Sequence, residues 1–137
     1  MHGHESWLLI AKEDLFAAKT LMSVELFSTA TYLCQQSAEK TLKAYLAFSK
    51  QEITKTHDLV QLVRLCLKID KTFEVLFDPA EQLVPFATRF RYPSEYDIPS
   101  LEHAEEAIKQ AQKIMTFILR KISKKTAELE TGQIDLF

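Results

Sequence analysis

The chain has 137 residues, the size of one domain, and its 47% hydrophobic and 26% charged residues are typical of a globular protein rather than a disordered one. Its two glycines, Gly3 and Gly132, exclude the glycine-rich phosphate loops of nucleotide-binding folds and disfavour β-hairpins. The net charge of −2 excludes a basic field over the whole molecule, although it is compatible with a local basic patch.

Apolar residues that step by three and four along the chain predict five helices, three of them in the first half. The first covers residues 5–22, and the second covers residues 28–49 with Ser28 as its N-cap. The third opens at Thr56, a further N-cap candidate, with Asp58 near the positive end of the helix dipole. The side chains expected to face the core are Leu8, Ala11, Leu15, Ala18 and Met22, then Leu33, Ser37, Ala38, Leu42, Tyr45 and Leu46, then Leu59, Leu62, Val63, Cys66 and Ile69.

Two further helices are predicted in the second half. The fourth begins after Asp78-Pro79, a cap followed by proline, and continues to Phe90, with Pro85 expected to kink or split it. The fifth has the clearest period, since apolar residues alternate by three and four over residues 101–122. Gly132 is predicted to end this helix, because glycine is the usual residue just past a helix end.

The predicted fold class is all-α, an antiparallel up-and-down bundle of four main helices plus a shorter helix, because short connections favour antiparallel neighbours. Residues 1–125 are expected to form the bundle and residues 126–137 a C-terminal tail. Residues 90–100 form the one long connection. They hold two prolines and two tyrosines and have no helical period, which is typical of a functional loop.

Several classes of protein are disfavoured by absent patterns. The sequence contains no run of 18 apolar residues, so it predicts no membrane span. The first residues lack the pattern of a signal peptide. A cytoplasmic protein is therefore expected. Cys34 and Cys66 lie within helical patterns and are expected to be buried as small hydrophobes. His2 and His4 form a His-x-His pair at a terminus that is expected to fray, so no metal site is predicted there. No other cofactor is predicted.

The second predicted helix carries a polar face beside its apolar stripe. Gln35, Gln36, Glu39, Lys40 and Lys43 follow one another at spacings of one, three, one and three. One interpretation is a solvated face. The other is a surface for a ligand or a partner, because these side chains offer both hydrogen-bond donors and acceptors.

Two other segments are candidate sites. His57 lies in the first turn of a predicted helix, where it either bonds to the backbone or helps to bind an anion such as phosphate. In the long loop, two arginines and two tyrosines lie close together. They either clamp phosphate and stack on a base, or form salt bridges and pack against the bundle. These loop residues are Arg89, Arg91, Tyr92 and Tyr96.

Three strings of residues together resemble the HEPN (higher eukaryotes and prokaryotes nucleotide-binding) domain. They are Tyr32-Leu-Cys-Gln-Gln-Ser-Ala-Glu-Lys-Thr-Leu-Lys-Ala-Tyr45, Thr56-His-Asp-Leu59 and Arg91-Tyr-Pro93, in the order of that family. The resemblance covers most of the chain, roughly residues 5–121. It implies a helical bundle, usually a homodimer, often encoded beside a minimal nucleotidyltransferase as a toxin–antitoxin or two-subunit pair.

The members of this family that cleave RNA carry an arginine and a histidine separated by about four to six residues. No arginine of this chain is followed by a histidine at that spacing, and Tyr96 stands where the histidine would follow Arg91. A tyrosine with an ordinary pKa of about 10 is a poor general base at neutral pH. RNA cleavage is therefore not expected, and the alternative hypothesis is a divergent ribonuclease that uses Arg91, Tyr96 and His57.

The predicted function is thus a non-catalytic HEPN module that binds a nucleotide, docks a minimal nucleotidyltransferase, or does both. The ligand could be a nucleotide or RNA. The site is expected in a cleft between the second helix and the long loop, where arginines clamp phosphate and tyrosines stack on a base. Its predicted residues are Gln36, Lys40, Lys43, His57, Arg89, Arg91, Tyr92 and Tyr96.

Two assembly predictions complete the sequence analysis. Nine phenylalanines, several of them beside polar turns (Phe73, Phe77, Phe86, Phe90), exceed what one slim bundle hides, which predicts a homodimer. The end of the chain, Gln133-Ile-Asp-Leu-Phe137, is similar to the peptides with which bacterial replication proteins dock on the sliding clamp. The alternative is that this end packs on the bundle or on a dimer mate.

Overall fold

The computed structural model describes residues 3–53, 55–88 and 98–135, with side chains as far as residue 131. These residues form helices and no strand, which confirms the all-α bundle. None of the helices in this part of the chain is both long and apolar enough to span a membrane. The α-helices are α1 (His4–Leu21), α2 (Phe27–Phe48), α3 (Leu59–Leu67), α4 (Phe77–Leu83) and α5 (Leu101–Asp135), and 3₁₀ turns cover Met22–Val24, Lys71–Leu76 and Val84–Phe86.

Helix α2 lies at the centre of the bundle. It packs against α1, α3, α4 and α5, and successive long helices run antiparallel. Small residues permit close approach to α1: the Ser37 hydroxyl donates a 2.8 Å hydrogen bond to the Ala11 carbonyl of that helix. Because α2 is packed on most sides, most of its residues from Ala30 onward are buried, including polar ones.

The apolar period predicted the core of α1 correctly. Leu8, Ala11, Leu15 and Ala18 are all buried, and Met22 is half-buried. The prediction that Ile69, after α3, faces the core is wrong, since this residue is exposed. The predicted N-cap of α2 is wrong, since the helix begins one residue earlier and Leu26, which has no capping side chain, stands at the N-cap position in place of Ser28. Ser28 and Thr29, in the first turn of this helix, are both exposed.

The start of α3 is capped, but by a different residue from the one predicted. The Asp58 side chain accepts hydrogen bonds from the backbone N–H groups of Val60 and Gln61, which is the geometry of an N-cap. Thr56 acts one step earlier, with its hydroxyl oxygen accepting a bond from the Asp58 N–H. Together these bonds fix the backbone on both sides of His57.

The region of the predicted fourth helix is divided by its prolines. Helix α4 begins at Phe77, so Asp78 and Pro79 form its first turn instead of preceding it. The prediction that Pro85 splits the helix is confirmed, because α4 ends at Leu83 and a 3₁₀ turn follows over Val84–Phe86. The 3₁₀ turn over Lys71–Leu76 was not predicted.

Helix α5 is longer than predicted. It continues through Gly132 to Asp135, so the prediction that this glycine ends the helix is wrong. A single glycine costs a helix only about 1 kcal/mol relative to alanine, which the rest of a 35-residue helix outweighs. The division into a bundle and a tail at residue 125 stays a prediction. Leu136 and Phe137 lie outside the described residues.

The phenylalanines that suggested a homodimer are mostly hidden within the single chain. Phe73 and Phe86 are buried and Phe77 is half-buried, while Phe90 lies outside the described residues. Phe73 packs between Tyr45 and Phe117, with ring centroids 4.4 and 5.0 Å away. The homodimer stays a prediction, but surplus phenylalanine at the polar turns is no longer a reason for it.

We expect Phe73→Ala to lower the free energy of unfolding by about 3–5 kcal/mol, because it leaves a cavity beneath two aromatic rings. Phe16→Ala is the matched control, since this ring is 73% exposed, and its effect should stay within about 0.5 kcal/mol. Urea unfolding followed by circular dichroism measures both. Equal losses in the two variants would contradict the described core.

Both cysteines are free and buried, as predicted. Burial raises the pKa of the Cys34 thiol to about 12 and that of the Cys66 thiol also to about 12. Since the thiolate is the reactive form, neither thiol should react with Ellman's reagent at pH 8 in the folded protein. Both should react within minutes in 8 M urea, and fast reaction of the native protein would contradict this burial.

Candidate functional site

The polar face of α2 is mostly buried. Gln35, Glu39 and Lys43 are only 1%, 4% and 5% exposed, so the interpretation as a solvated face is wrong for these three residues. Gln36 and Lys40 are half-buried. A charged side chain inside a protein requires partners, because removing it from water is costly.

Glu39 is the centre of a polar cluster, which consists of the buried Glu39 and Lys43 and the exposed His57. We call it the buried polar cluster after its two buried members. One carboxylate oxygen, Oε2, accepts a hydrogen bond from Lys43 Nζ at 3.1 Å and lies 2.9 Å from His57 Nδ1. The Lys43 ammonium also lies 5.7 Å from the centre of the Trp7 ring, a favourable cation–π distance. The second oxygen, Oε1, is buried and has no hydrogen-bond partner among the described residues.

His57 connects this cluster to solvent. Its side chain is 79% exposed although Nδ1 faces the buried carboxylate. Because a carboxylate accepts but does not donate, the hydrogen of this contact lies on His57 Nδ1. The arrangement can orient an imidazole toward a ligand, and it leaves one buried oxygen that still requires a donor.

The other predicted residues of α2 have partners within the chain. Gln36 Nε2 donates to Gln35 Oε1 at 2.8 Å. Lys40 Nζ forms a 2.6 Å ion pair with Asp14 of α1, so it ties two helices together. The structure therefore brings Lys43 and His57 together through Glu39 and directs Lys40 toward α1.

Four predicted site residues, Arg89, Arg91, Tyr92 and Tyr96, lie outside the described residues. Their contacts, and the cleft predicted between α2 and their loop, stay predictions. The residue that sequence reasoning did not select is Glu39. A signal was present, since Leu42 and Leu46 follow Glu39 by three and seven residues and are both buried. That spacing places Glu39 on the apolar stripe.

A second polar group, also not selected from the sequence, lines a cleft of about 320 Å³ where α5 begins. Gln110 is buried there, its Nε2 donates to Glu106, and its Oε1 has no hydrogen-bond partner among the described residues. His103 also lines the cleft, and its Nδ1 accepts from the Ser100 N–H at 3.0 Å. No group of three metal-ligating side chains occurs in the described part of the chain.

Lys43→Met should lower the free energy of unfolding by about 3–5 kcal/mol, because it leaves the Glu39 carboxylate buried without its cation. Lys40→Met is the matched control, since its pair with Asp14 is partly exposed, and it should cost about 1 kcal/mol or less. Adding Glu39→Gln to Lys43→Met should restore part of the loss, as measured by urea unfolding. Identical costs for the two lysine variants would show that Glu39 does not require Lys43.

Comparison with known proteins agrees with this description. Residues 4–122 match the HEPN domain family. Among solved structures, ST0689, described as an archaeal HEPN homologue, superposes with a TM-score of 0.73 at 26% identity, covering 89% of this chain and 99% of that one. TT1696 from Thermus thermophilus superposes with a TM-score of 0.78 at 25% identity, covering 88% and 99%.

No curated protein matches the sequence of this chain. The family match nevertheless extends from the first turn of α1 to the middle of α5 and includes every residue of the buried polar cluster. This chain belongs to the HEPN domain family.

Proposed function

We propose that this chain is a non-catalytic HEPN module that binds a nucleotide at the buried polar cluster. The observation that carries the proposal is the Glu39 carboxylate, which is buried, holds His57 through one oxygen and leaves the other without a partner among the described residues. An unsatisfied buried acceptor is costly, and a ligand that brings a donor offsets that cost.

The chemistry of a nucleotide suits these groups. An amino group of a base or a ribose hydroxyl that enters beside the His57 ring supplies a donor for Glu39 Oε1. The exposed His57 ring offers its Nε2 for a second hydrogen bond. Lys43 is already paired with Glu39, so the phosphate clamp is assigned to Arg89 and Arg91, with Tyr92 and Tyr96 stacking on the base, as the sequence predicts.

Isothermal titration calorimetry with ATP, ADP and AMP tests the nucleotide site. Glu39→Gln should weaken binding about 10- to 100-fold, because it removes a charged acceptor, and His57→Ala should weaken it about 2- to 10-fold. Lys55→Ala is the matched control, as an exposed residue of the same loop that should leave affinity unchanged. Arg91→Ala separately tests the loop, and unchanged affinity in all of these variants would refute the site.

We further propose that the module works as a homodimer beside a minimal nucleotidyltransferase, in a toxin–antitoxin-like pair. The support is membership of the HEPN family. Co-expression with a nucleotidyltransferase from a neighbouring gene, followed by light scattering of the purified proteins, should show a complex that contains two copies of this chain. A monomer at micromolar concentration that binds no such partner would overturn the proposal.

A second candidate, a divergent ribonuclease, is favoured by one observation. The Glu39 carboxylate lies 2.9 Å from His57 Nδ1 and orients the exposed imidazole. In many enzymes a general base is a histidine that a carboxylate orients in this way. The purified protein would then cleave an unstructured RNA, and both His57→Ala and Arg91→Ala would abolish cleavage. Absence of cleavage by the unaltered protein removes this candidate and leaves the non-catalytic module.

A further inference from the structure

Basic residues are concentrated on one segment of α5. Residues 107–127 hold six basic side chains and no acidic one, although acidic residues outnumber basic ones by 19 to 17 in the whole chain. The six are Lys109, Lys113, Arg120, Lys121, Lys124 and Lys125.

Two depressions lie along this segment, and Lys121 lines both of them. The first, of about 590 Å³, is lined by Lys109, Lys113, Arg120 and Lys121, with the half-buried Phe117 among its apolar residues. The second, of about 910 Å³, adds Lys50 from the end of α2 and Lys71 from the turn before α4. We call the continuous surface the basic groove, and its cations are Lys50, Lys71, Lys109, Lys113, Arg120, Lys121, Lys124 and Lys125.

Most of this charge is unneutralised. Lys121 pairs with Asp70 at 3.0 Å, whereas the other seven cations form no ion pair within the described part of the chain. The acidic residues that line the groove are Asp70 and Glu128. Eight basic against two acidic residues leave a strong local positive charge on a molecule whose net charge is −2.

We propose that the basic groove binds the phosphate backbone of single-stranded nucleic acid without sequence preference. A helix rises about 1.5 Å per residue, so the cations from Lys109 to Lys125 extend over about 24 Å, long enough to follow several consecutive phosphates. A positively charged groove that follows the backbone is the usual electrostatic basis of a single-strand binding surface. The half-buried Phe117 lies in this groove, with the Lys121 ammonium 5.4 Å from its ring centre.

A membrane surface fits the groove less well. A helix that lies on a membrane inserts large apolar side chains beside its cations. No large apolar residue is strongly exposed along residues 107–127, and the exposed Ile69 and Leu129 line only the second depression. An acidic protein is the other competing polyanion, but the long linear spacing of the cations favours a chain of regularly spaced phosphates.

The described residues of the proposed nucleotide site lie outside this surface. None of Glu39, Lys43 and His57 lines either depression. Loss of nucleotide binding in the His57→Ala variant therefore leaves the basic groove untested, and loss of nucleic-acid binding in groove variants leaves the nucleotide site intact.

Fluorescence anisotropy with a labelled 12-nucleotide oligo(U) and the matching oligo(dT), at 50, 100 and 200 mM KCl, tests the proposal on the full chain. Affinity for both should fall as salt rises, with a log–log slope of about −0.7 for each phosphate contacted. Lys113→Glu/Lys124→Glu should weaken binding at least about 10-fold. Lys12→Glu/Lys55→Glu is the matched control, with the same charge change at exposed lysines outside the groove, and should change affinity less than about twofold.

Asp70→Asn gives the opposite test, because it removes an anion from the groove and frees Lys121. Affinity should rise about two- to fivefold. Absence of binding at 50 mM KCl, equal losses in the two double variants while circular dichroism shows both folded, or tighter binding to polyglutamate or to vesicles of anionic lipid would each overturn the proposal. Absence of binding would refute the binding site itself. Equal losses in the two double variants would refute its location in the groove. Tighter binding to polyglutamate or to lipid would refute nucleic acid as the ligand.

Discussion

The burial of α2 is the constraint on which the rest of the structure depends. This helix is packed against all four other α-helices, so its buried polar side chains cannot be satisfied by water. The chain satisfies them internally, through the bond from Ser37 to the Ala11 carbonyl and through the pair between Lys43 and Glu39. On α2 the exception is one carboxylate oxygen of Glu39, which has no partner among the described residues, and the candidate site is built around it.

Charge is used in two different ways in this small protein. Inside, one carboxylate is matched against one ammonium and one imidazole, because an isolated charge there is costly. On α5, like charges are exposed side by side, where water screens their repulsion and the cost is small. The net charge of −2 is a sum over the whole chain, so it excludes a molecule that is basic throughout. It does not indicate where the basic residues lie, and therefore it does not predict the groove.

The sequence predicted the core well because burial imposes a period, and the period is visible in single residues such as Leu8, Ala11, Leu15 and Ala18. It failed where local and tertiary effects compete. Ser28 and Gly132 carry strong local signals for helix ends, yet α2 begins at Phe27 without a side-chain cap and the length of α5 overrides its glycine. Glu39 was missed as a site residue because polar residues were read as a surface, although its spacing to buried leucines indicated the core.

The rigidity of His57 decides what the buried polar cluster is suited to do. An exposed side chain normally loses conformational entropy on binding, at about 0.5–1.5 kcal/mol for each immobilised group. Here the Asp58 cap fixes the backbone immediately after His57, and the Glu39 carboxylate fixes its ring, so this cost is already met when the chain folds. Orientation alone serves binding and proton transfer equally well. Cleavage of RNA further requires positive charge placed on the reacting phosphate, and Lys43, the cation of this cluster, is already paired to Glu39.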